Sequence, residues 1–257
     1  MELKNQCICS ILTRSIRLLE DKTKLFVSNV TSKVRVAITV TIVSSVAIAS
    51  GSESNYQEST TSRLWNNTAN WDIGIIPGQG TSDRGVVDSG GEVHVMTEPN
   101  EQIAYDIWIG DTASGGTMNV NADMLLVDSI QLGWVDDANG TWLQNAGDVT
   151  ASSVLVGSNS GAGHADMVLW AGSLLTDYDI EVESTGRLTV IDGAFCSAGA
   201  DFIMNGELTI KVGETGFYPI EVLDQLVISS GAKLTINLAD YVAGPLTFEL
   251  VTFTSKL

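Results

Sequence analysis

Hydrophobic and polar residues alternate in short stretches along most of the chain beyond residue 100. In Leu188-Thr189-Val190, two apolar side chains would face one way and the threonine the other, as in a half-buried β-strand. Gly, Asn and Asp close these stretches, and these residues readily adopt the backbone angles of tight corners. No segment beyond residue 50 has an apolar stripe at the helical period of 3.6 residues. The pattern therefore predicts an all-β fold of short strands.

The strands recur in similar blocks. Segments 107–110, 130–133 and 154–157 read IWIG, IQLG and VLVG, and their closing glycines are 23 and then 24 residues apart. A fourth copy at 180–183 reads IEVE, with glutamate in place of glycine. Sequence repeats of this length are typical of solenoids.

One block of this length cannot enclose a core, whereas stacked blocks align Ile109, Leu132, Val156 and Val182 in one internal column. We therefore predict a parallel β-helix (β-solenoid) with coils of about 24 residues. An antiparallel β-sandwich is the alternative, because short strands at regular spacing also suit that fold.

The first 49 residues differ in kind and indicate a secretory signal segment. Residues 36–49 form an apolar run that ends in Ala47-Ile48-Ala49, a pattern that signal peptidase accepts. An uncleaved anchor is the alternative, but this run makes only about 21 Å of helix against a hydrocarbon core of about 30 Å. The predicted organisation is a signal segment at 1–49, a Ser/Thr-rich linker at 50–62, an N-terminal capping region at 63–100 and solenoid repeats at 101–257.

The charge distribution follows the same division. The net charge is −18, but residues 1–50 carry seven basic and three acidic side chains, and the rest of the chain carries six basic and 28 acidic ones. An acidic surface repels phosphate backbones and anionic polymers, which excludes nucleic-acid binding and disfavours a polyuronate lyase. Cys196 is the only cysteine beyond the signal segment, and its small and apolar neighbours predict a buried, inert thiol.

One corner of the repeat has the residue types of a calcium site. Asp136, Asp137 and Asn139 lie in this corner, and Asp111 lies in the matching corner one coil earlier. Carboxylate and amide oxygens are the ligands that Ca²⁺ prefers, so these four residues are candidate calcium ligands. An aspartate-rich turn without a metal is the alternative.

Two tryptophans are candidates for binding a glycan. Trp108 lies between the inward residues Ile107 and Ile109, so we expect it to face outward, and Trp134 follows in the next coil. Exposed aromatic rings can stack on sugar rings, although packing at a core or corner is the alternative role.

No catalytic residue is predicted. The order of Asp123, Asp136, His164 and Arg187 resembles the active-site elements of polygalacturonases, whose chemistry needs several carboxylates on one face. The repeat, however, assigns these residues to different corners. The basic element of that family is also incomplete, because Leu188 and Thr189 follow Arg187.

The N-terminal entrance and the coils together resemble a known group of proteins. Trp65 and Trp71, followed by a Gly74-x-x-Pro77 turn and the I-x-I-G coils, are similar to exported bacterial β-helix repeat proteins. Members of that group carry autotransporter-passenger-like repeats, and many have a PEP-CTERM-type sorting anchor. The resemblance covers about residues 63–257, although the sequence has no Pro-Glu-Pro motif.

The resemblance implies an extracellular or cell-surface protein with a structural or adhesive role and no catalysis. The alternative is an extracellular β-helix that binds or cleaves a polysaccharide. The expected partners are extracellular glycans or other surface proteins, and no cofactor is expected apart from calcium. We expect membrane contact only through the N-terminal segment before cleavage, or through a C-terminal anchor that is missing from this sequence.

Overall fold

A computed structural model describes residues 52–57, 63–78, 82–96, 102–112, 114–126, 128–135, 137–159, 161, 163–214, 217–241 and 249–253. The chain divides into two compact units, Met1–Ala47 and Ile48–Leu257, and every described residue belongs to the second. The predicted signal segment at 1–49 therefore lies outside the described residues. In the part that the structure describes, no helix has the length and apolar character needed to cross a bilayer.

The described residues form short strands and one short 3₁₀ helix, Thr68–Asn70. In chain order the strands are β1 (Ser52–Asn55), β2 (Ser82–Val87), β3 (Gly91–Val95), β4 (Gln102–Ala104), β5 (Asp106–Ile109), β6 (Gly116–Val120), β7 (Met124–Leu126), β8 (Ser129–Leu132), β9 (Asn139–Gln144), β10 (Asp148–Ala151), β11 (Ser153–Val156), β12 (His164–Leu169), β13 (Gly172–Thr176), β14 (Ile180–Val182), β15 (Gly186–Ile191), β16 (Ala194–Ala198), β17 (Phe202–Met204), β18 (Glu207–Lys211), β19 (Ile220–Val222), β20 (Leu226–Ile228), β21 (Lys233–Asn237) and β22 (Val251–Phe253).

These strands build three parallel sheets. Sheet 1 has the order β1-β2-β5-β8-β11-β14-β17-β20, sheet 2 has β3-β6-β9-β12-β15-β18-β21, and sheet 3 has β4-β7-β10-β13-β16-β19-β22. From β2 onward, consecutive strands enter sheets 1, 2 and 3 in turn, so every third strand returns beside the strand one coil earlier. The fold is therefore a parallel β-solenoid. The prediction is confirmed, and the β-sandwich alternative is wrong.

The predicted internal column of sheet 1 is present. Ile109 pairs in register with Leu132, Leu132 with Val156, and Val156 with Val182, and all four side chains are buried. Stacking equivalent apolar residues in this way lets each coil bury the next, which a single coil cannot do for itself.

Sheet 2 contributes the largest fully buried side chain of the described strands. Trp142 in β9 is fully buried and pairs in register with Met118 of β6 and Met167 of β12. Two flexible methionine side chains next to the indole suit this place, because methionine fills irregular gaps around large rings.

Aspartate side chains connect successive coils at the corners. The Oδ1 atoms of Asp106, Asp123, Asp179 and Asp201 each accept a hydrogen bond from a backbone N–H one coil later, at 2.9–3.1 Å. Such bonds satisfy corner N–H groups that have no strand partner. Part of the acidity of this chain therefore stabilises the stack.

Aromatic side chains pack together in the segment that precedes β2. Trp65 and Trp71 are buried and meet edge to face, with ring centroids 5.0 Å apart, and Tyr56 contacts Trp71 in the same manner at 5.8 Å. The indole N–H of Trp71 donates a hydrogen bond to the carbonyl of Trp65 (2.9 Å). Strand pairing begins before residue 101, because β2 and β3 already belong to sheets 1 and 2.

Candidate functional site

Two tryptophans stack on the outer surface of sheet 1. Trp108 faces outward from β5, as its position between two inward isoleucines predicts. Trp134 follows Gly133, whose φ of +58° turns the chain out of β8. The two ring centroids are 6.3 Å apart with an angle of 26° between the planes. Trp134 remains 51% exposed, which is high for so large an apolar side chain. The structure therefore brings the two predicted glycan-binding residues together.

A charged network holds the inner ring of this pair. The Cζ atom of Arg84 lies 3.6 Å from the ring centroid of Trp108, close enough for a cation–π interaction. Arg84 also lies 3.6 Å from the carboxylate of Asp106, whose Oδ1 accepts a hydrogen bond from the Ser129 hydroxyl (2.9 Å). The Gln131 amide in turn donates to that hydroxyl (3.0 Å). Trp108 is thus a fixed support on which the exposed Trp134 rests.

A groove continues from Trp134 towards the next coils. Its volume is about 360 Å³, and it is lined by Trp134, Leu155, Gly157, Ser158, Asn159, Glu181 and Glu183. Leu155 and Glu181 are paired in register on β11 and β14, at the outward position that Trp108 and Gln131 occupy in earlier coils. The groove has an aromatic wall at one end and two carboxyl groups at the other.

The two carboxyl groups interact with each other, and Glu181 is half-buried while Glu183 is buried. Glu183 is only 5% exposed, and its Oε2 accepts a hydrogen bond from the Asn205 amide (3.1 Å). The pKa of Glu181 is raised from 4.5 to about 7, first by burial, then by a hydrogen bond with Glu183, and then by the charges of Glu183 and Asp179. At neutral pH Glu181 therefore keeps its proton for part of the time.

This raised pKa predicts a dependence of stability on pH. Folded Glu181 holds its proton up to about pH 7, whereas the unfolded chain releases it near pH 4.5, so the stabilisation is complete below pH 4.5 and is lost as the pH rises through 7. The variant Glu181→Gln cannot ionise and should lose less stability than the parent between pH 5 and pH 8. Thermal unfolding midpoints at the two pH values measure this, with Glu221→Gln on sheet 3 as the control. Identical pH dependence in the parent and Glu181→Gln would contradict the assignment.

A larger cavity on the outer surface of sheet 2 contains a ladder of alternating charges. Its volume is about 490 Å³, and its lining includes His164, Asp166, Arg187, Glu207 and Lys233. Arg187 donates to Asp166 (2.6 Å) and Lys233 donates to Glu207 (2.9 Å), and the hydrogen bond from Lys233 is the main cause that lowers the pKa of Glu207. Because each charge has an opposite neighbour, this cavity is electrostatically balanced.

The residues that resemble polygalacturonase elements are only partly brought together. His164 and Arg187 line the same cavity on sheet 2. Asp123 lies at the corner between sheets 2 and 3, where its Oδ1 accepts a hydrogen bond from the backbone N–H of Asp148 (2.9 Å). Asp136 lies outside the described residues.

The candidate calcium ligands are distributed around one corner. The pKa of Asp111 is raised, first by burial and then by the neighbouring charges of Asp88 and Glu53. Asp137 is exposed with φ +65°, and the Oδ1 of Asn139 accepts a hydrogen bond from the backbone N–H of His164 (3.1 Å). The fourth candidate, Asp136, lies outside the described residues. In the described part of the chain, no group of three His, Cys, Asp or Glu residues could hold a metal ion. Calcium binding therefore stays a prediction.

The remaining sequence expectation concerns Cys196, which is buried and free, as predicted. Burial raises the pKa of its thiol to about 12. The thiol therefore stays protonated at neutral pH, which makes it a poor nucleophile and a poor metal ligand.

Sequence reasoning did not identify the role of Glu181 and Glu183. The signal was present, because the fourth copy of the I-x-I-G motif ends in glutamate where the first three end in glycine. A charged residue at a repeat position that is otherwise glycine marks a local departure from the structural pattern.

Comparison of the chain with known proteins finds no matching family model, no matching curated protein and no matching solved structure.

Proposed function

We propose that this protein is an exported, acidic β-solenoid with an adhesive role outside the cell or at its surface, and that it binds glycans through sheet 1. The observation that carries the proposal is the exposed Trp134, which stacks on Trp108 and opens into the groove that leads to Glu181. Export follows from the predicted signal segment and from the resemblance, and it stays a prediction.

The shape of this surface suits a polymer. Parallel strands make sheet 1 a regular surface on which outward residues of successive coils form a row. An extended glycan can lie along such a row, with one sugar ring on Trp134 and polar groups in reach of Ser158, Asn159 and Glu181. A large, rigid aromatic ring provides contact area at a small entropic cost.

Binding is favoured over cleavage because the carboxyl groups of Glu181 and Glu183 interact directly with each other. Glycosidases place their acid and their nucleophile or base about 5–5.5 Å or 6.5–9.5 Å apart, so that the scissile bond fits between them. Glu183 raises the pKa of Glu181 through a hydrogen bond and through its charge, so the two carboxyl groups act on each other directly, with no sugar ring between them. We therefore propose no catalytic role for the pair.

The variant Trp134→Ala tests the proposal. Removing the exposed ring should weaken glycan binding about tenfold or more, because a stacked aromatic contact is worth about 1 kcal/mol beyond the apolar area that it buries. Glycan-array screening of the protein, followed by titration calorimetry with a bound glycan, measures this change.

Trp170→Ala is the matched control, because Trp170 is 48% exposed but lies outside the groove of sheet 1. Equal affinities for the parent and both variants would refute the assigned binding surface. A reducing-end assay on each bound glycan tests the alternative, since release of sugar ends would show cleavage.

A further inference from the structure

The carboxyl pair in the groove has no positive partner in the described part of the chain. The five basic side chains there are all engaged elsewhere: Arg63 with Glu92, Arg84 with Trp108 and Asp106, Arg187 with Asp166, Lys211 with Trp170, and Lys233 with Glu207. Every influence on the pKa of Glu181 raises it, and none comes from a cation.

An acidic pair of this kind favours a positively charged occupant. Glu183 is only 5% exposed, so water solvates a charge on its carboxyl group poorly. Asn205 donates one hydrogen bond to it, but an amide does not neutralise a carboxylate. A cation that reaches Glu181 and Glu183 would replace the proton of Glu181 and offset the repulsion between the two carboxyl groups.

The other wall of the groove indicates what kind of cation fits. Trp134 shares the groove with the two carboxyl groups, and Leu155 lies between them in the lining. A bare metal ion gains nothing from an indole ring or a leucine side chain, because hard cations prefer oxygen ligands. A sugar that carries an ammonium group uses both walls, since its ring stacks on Trp134 and its charge reaches Glu181.

We propose that this groove selects glycans that contain free amino sugars, with Trp134 as the stacking surface and the Glu181–Glu183 pair as the acceptor of the ammonium group. The proposal rests on the proposed glycan-binding function and adds the class of ligand. A charge-assisted hydrogen bond from an ammonium to a carboxylate is stronger than a neutral one, which makes the amino group the distinguishing feature. An N-acetyl group in its place has no charge and is bulkier.

The proposal predicts a link between binding and protons. Near pH 7 Glu181 holds its proton for part of the time, and an arriving ammonium group displaces it, so binding should release protons into the buffer. The charged groups that raise the pKa of Glu181 are Glu183 and Asp179, which lie on the same segment of the chain. Its strand partners, Leu155 on β11 and Ile203 on β17, are uncharged. Acidification below pH 6 should therefore weaken the binding of amino sugars.

The experiment compares two probes of equal length, a β-1,4-linked glucosamine hexamer and its fully N-acetylated counterpart. Titration calorimetry on the protein at pH 7 should give at least a tenfold higher affinity for the glucosamine hexamer. In Glu181→Gln this preference should fall about tenfold, while the affinity for the N-acetylated hexamer stays unchanged. Glu221→Gln makes the same substitution on sheet 3 and should keep the preference.

The possible outcomes separate the two proposals. Equal affinities for both hexamers, with no effect of Glu181→Gln, would overturn the amino-sugar selection and leave glycan binding in place. Failure of every glycan to bind would overturn both proposals. A lysine-rich peptide or Ca²⁺ that binds in a Glu181-dependent manner, when the glucosamine hexamer does not bind, would also overturn the selection of amino sugars.

Discussion

Replacing Trp142 with alanine should lower the free energy of unfolding by about 3–5 kcal/mol, the usual cost of truncating a large buried aromatic side chain. Trp142 is fully buried in the middle of the stack, in register with Met118 and Met167 on the neighbouring coils. Its removal leaves a cavity bounded by strands on both sides, and continuous parallel sheets cannot collapse easily to fill it. Urea unfolding followed by circular dichroism measures the loss.

Trp170→Ala is the natural control for this substitution. This substitution removes the same kind of side chain, but from a position that is 48% exposed. It should therefore change the free energy of unfolding by less than about 1 kcal/mol. Similar losses for the two variants would mean that Trp142 is not in the core and that the register of β9 is wrong.

Gly186→Ala should destabilise the protein by about 3 kcal/mol, the upper end of the range for overpacking. Gly186 begins β15, and a Cβ atom there would clash with the backbone carbonyl oxygen of Val156 on the previous coil. A backbone atom within a paired strand cannot move aside as a flexible side chain can, so the two coils would have to separate locally.

The comparison with Gly231→Ala isolates this effect. Gly231 also lies near the start of a sheet 2 strand, but a Cβ atom there would meet nothing within 4 Å. Its substitution should be neutral or slightly stabilising, because alanine restricts the unfolded chain more than glycine does. Thermal unfolding of both variants provides the test, and equal midpoints would refute the close approach of coils at Gly186.

The same column shows how the chain accommodates a larger residue. Ala165 of β12 pairs in register with Gly140 and Gly186 and is buried. Glycine is therefore not required in every coil of this column.

The fold could be predicted from the sequence because its main contacts repeat. Ile109, Leu132 and Val156 occur at nearly constant spacing, and parallel in-register pairing converts constant spacing into contact. The spacing is less informative at the corner after sheet 2. Asn121 and Asn145 begin equivalent turns, but Met124 pairs with Val149, so the later turn contains one more residue. An apolar pattern does not count turn residues, so it does not by itself give the strand register after this corner.

The parts of the site differ in how far the sequence could predict them. Trp108 has to face outward because its neighbours Ile107 and Ile109 face inward, and alternation along a strand is a local rule. The contact of Trp108 with Trp134 depends on the path that the chain takes after Gly133, which no local rule specifies. The burial of Trp142 could not be predicted for a similar reason. Alternation along β9 separates its residues into two faces, but it does not show which face lies in the core.

The sequence by itself determined that this protein is a stack of short parallel strands, because repeated spacing and alternating polarity are properties of the chain read in one dimension. Only the tertiary structure decided what the outer surface of sheet 1 contains. Trp108, Trp134 and Glu181 belong to three different turns of the solenoid, with one further turn between those of Trp134 and Glu181, and each is separated from the next by more than twenty residues of sequence. The coil brings them to one surface, and burial then couples Glu181 to Glu183 and raises its pKa. Burial and cross-coil contact are set by the assembled stack, so they could not be deduced from the order of the residues.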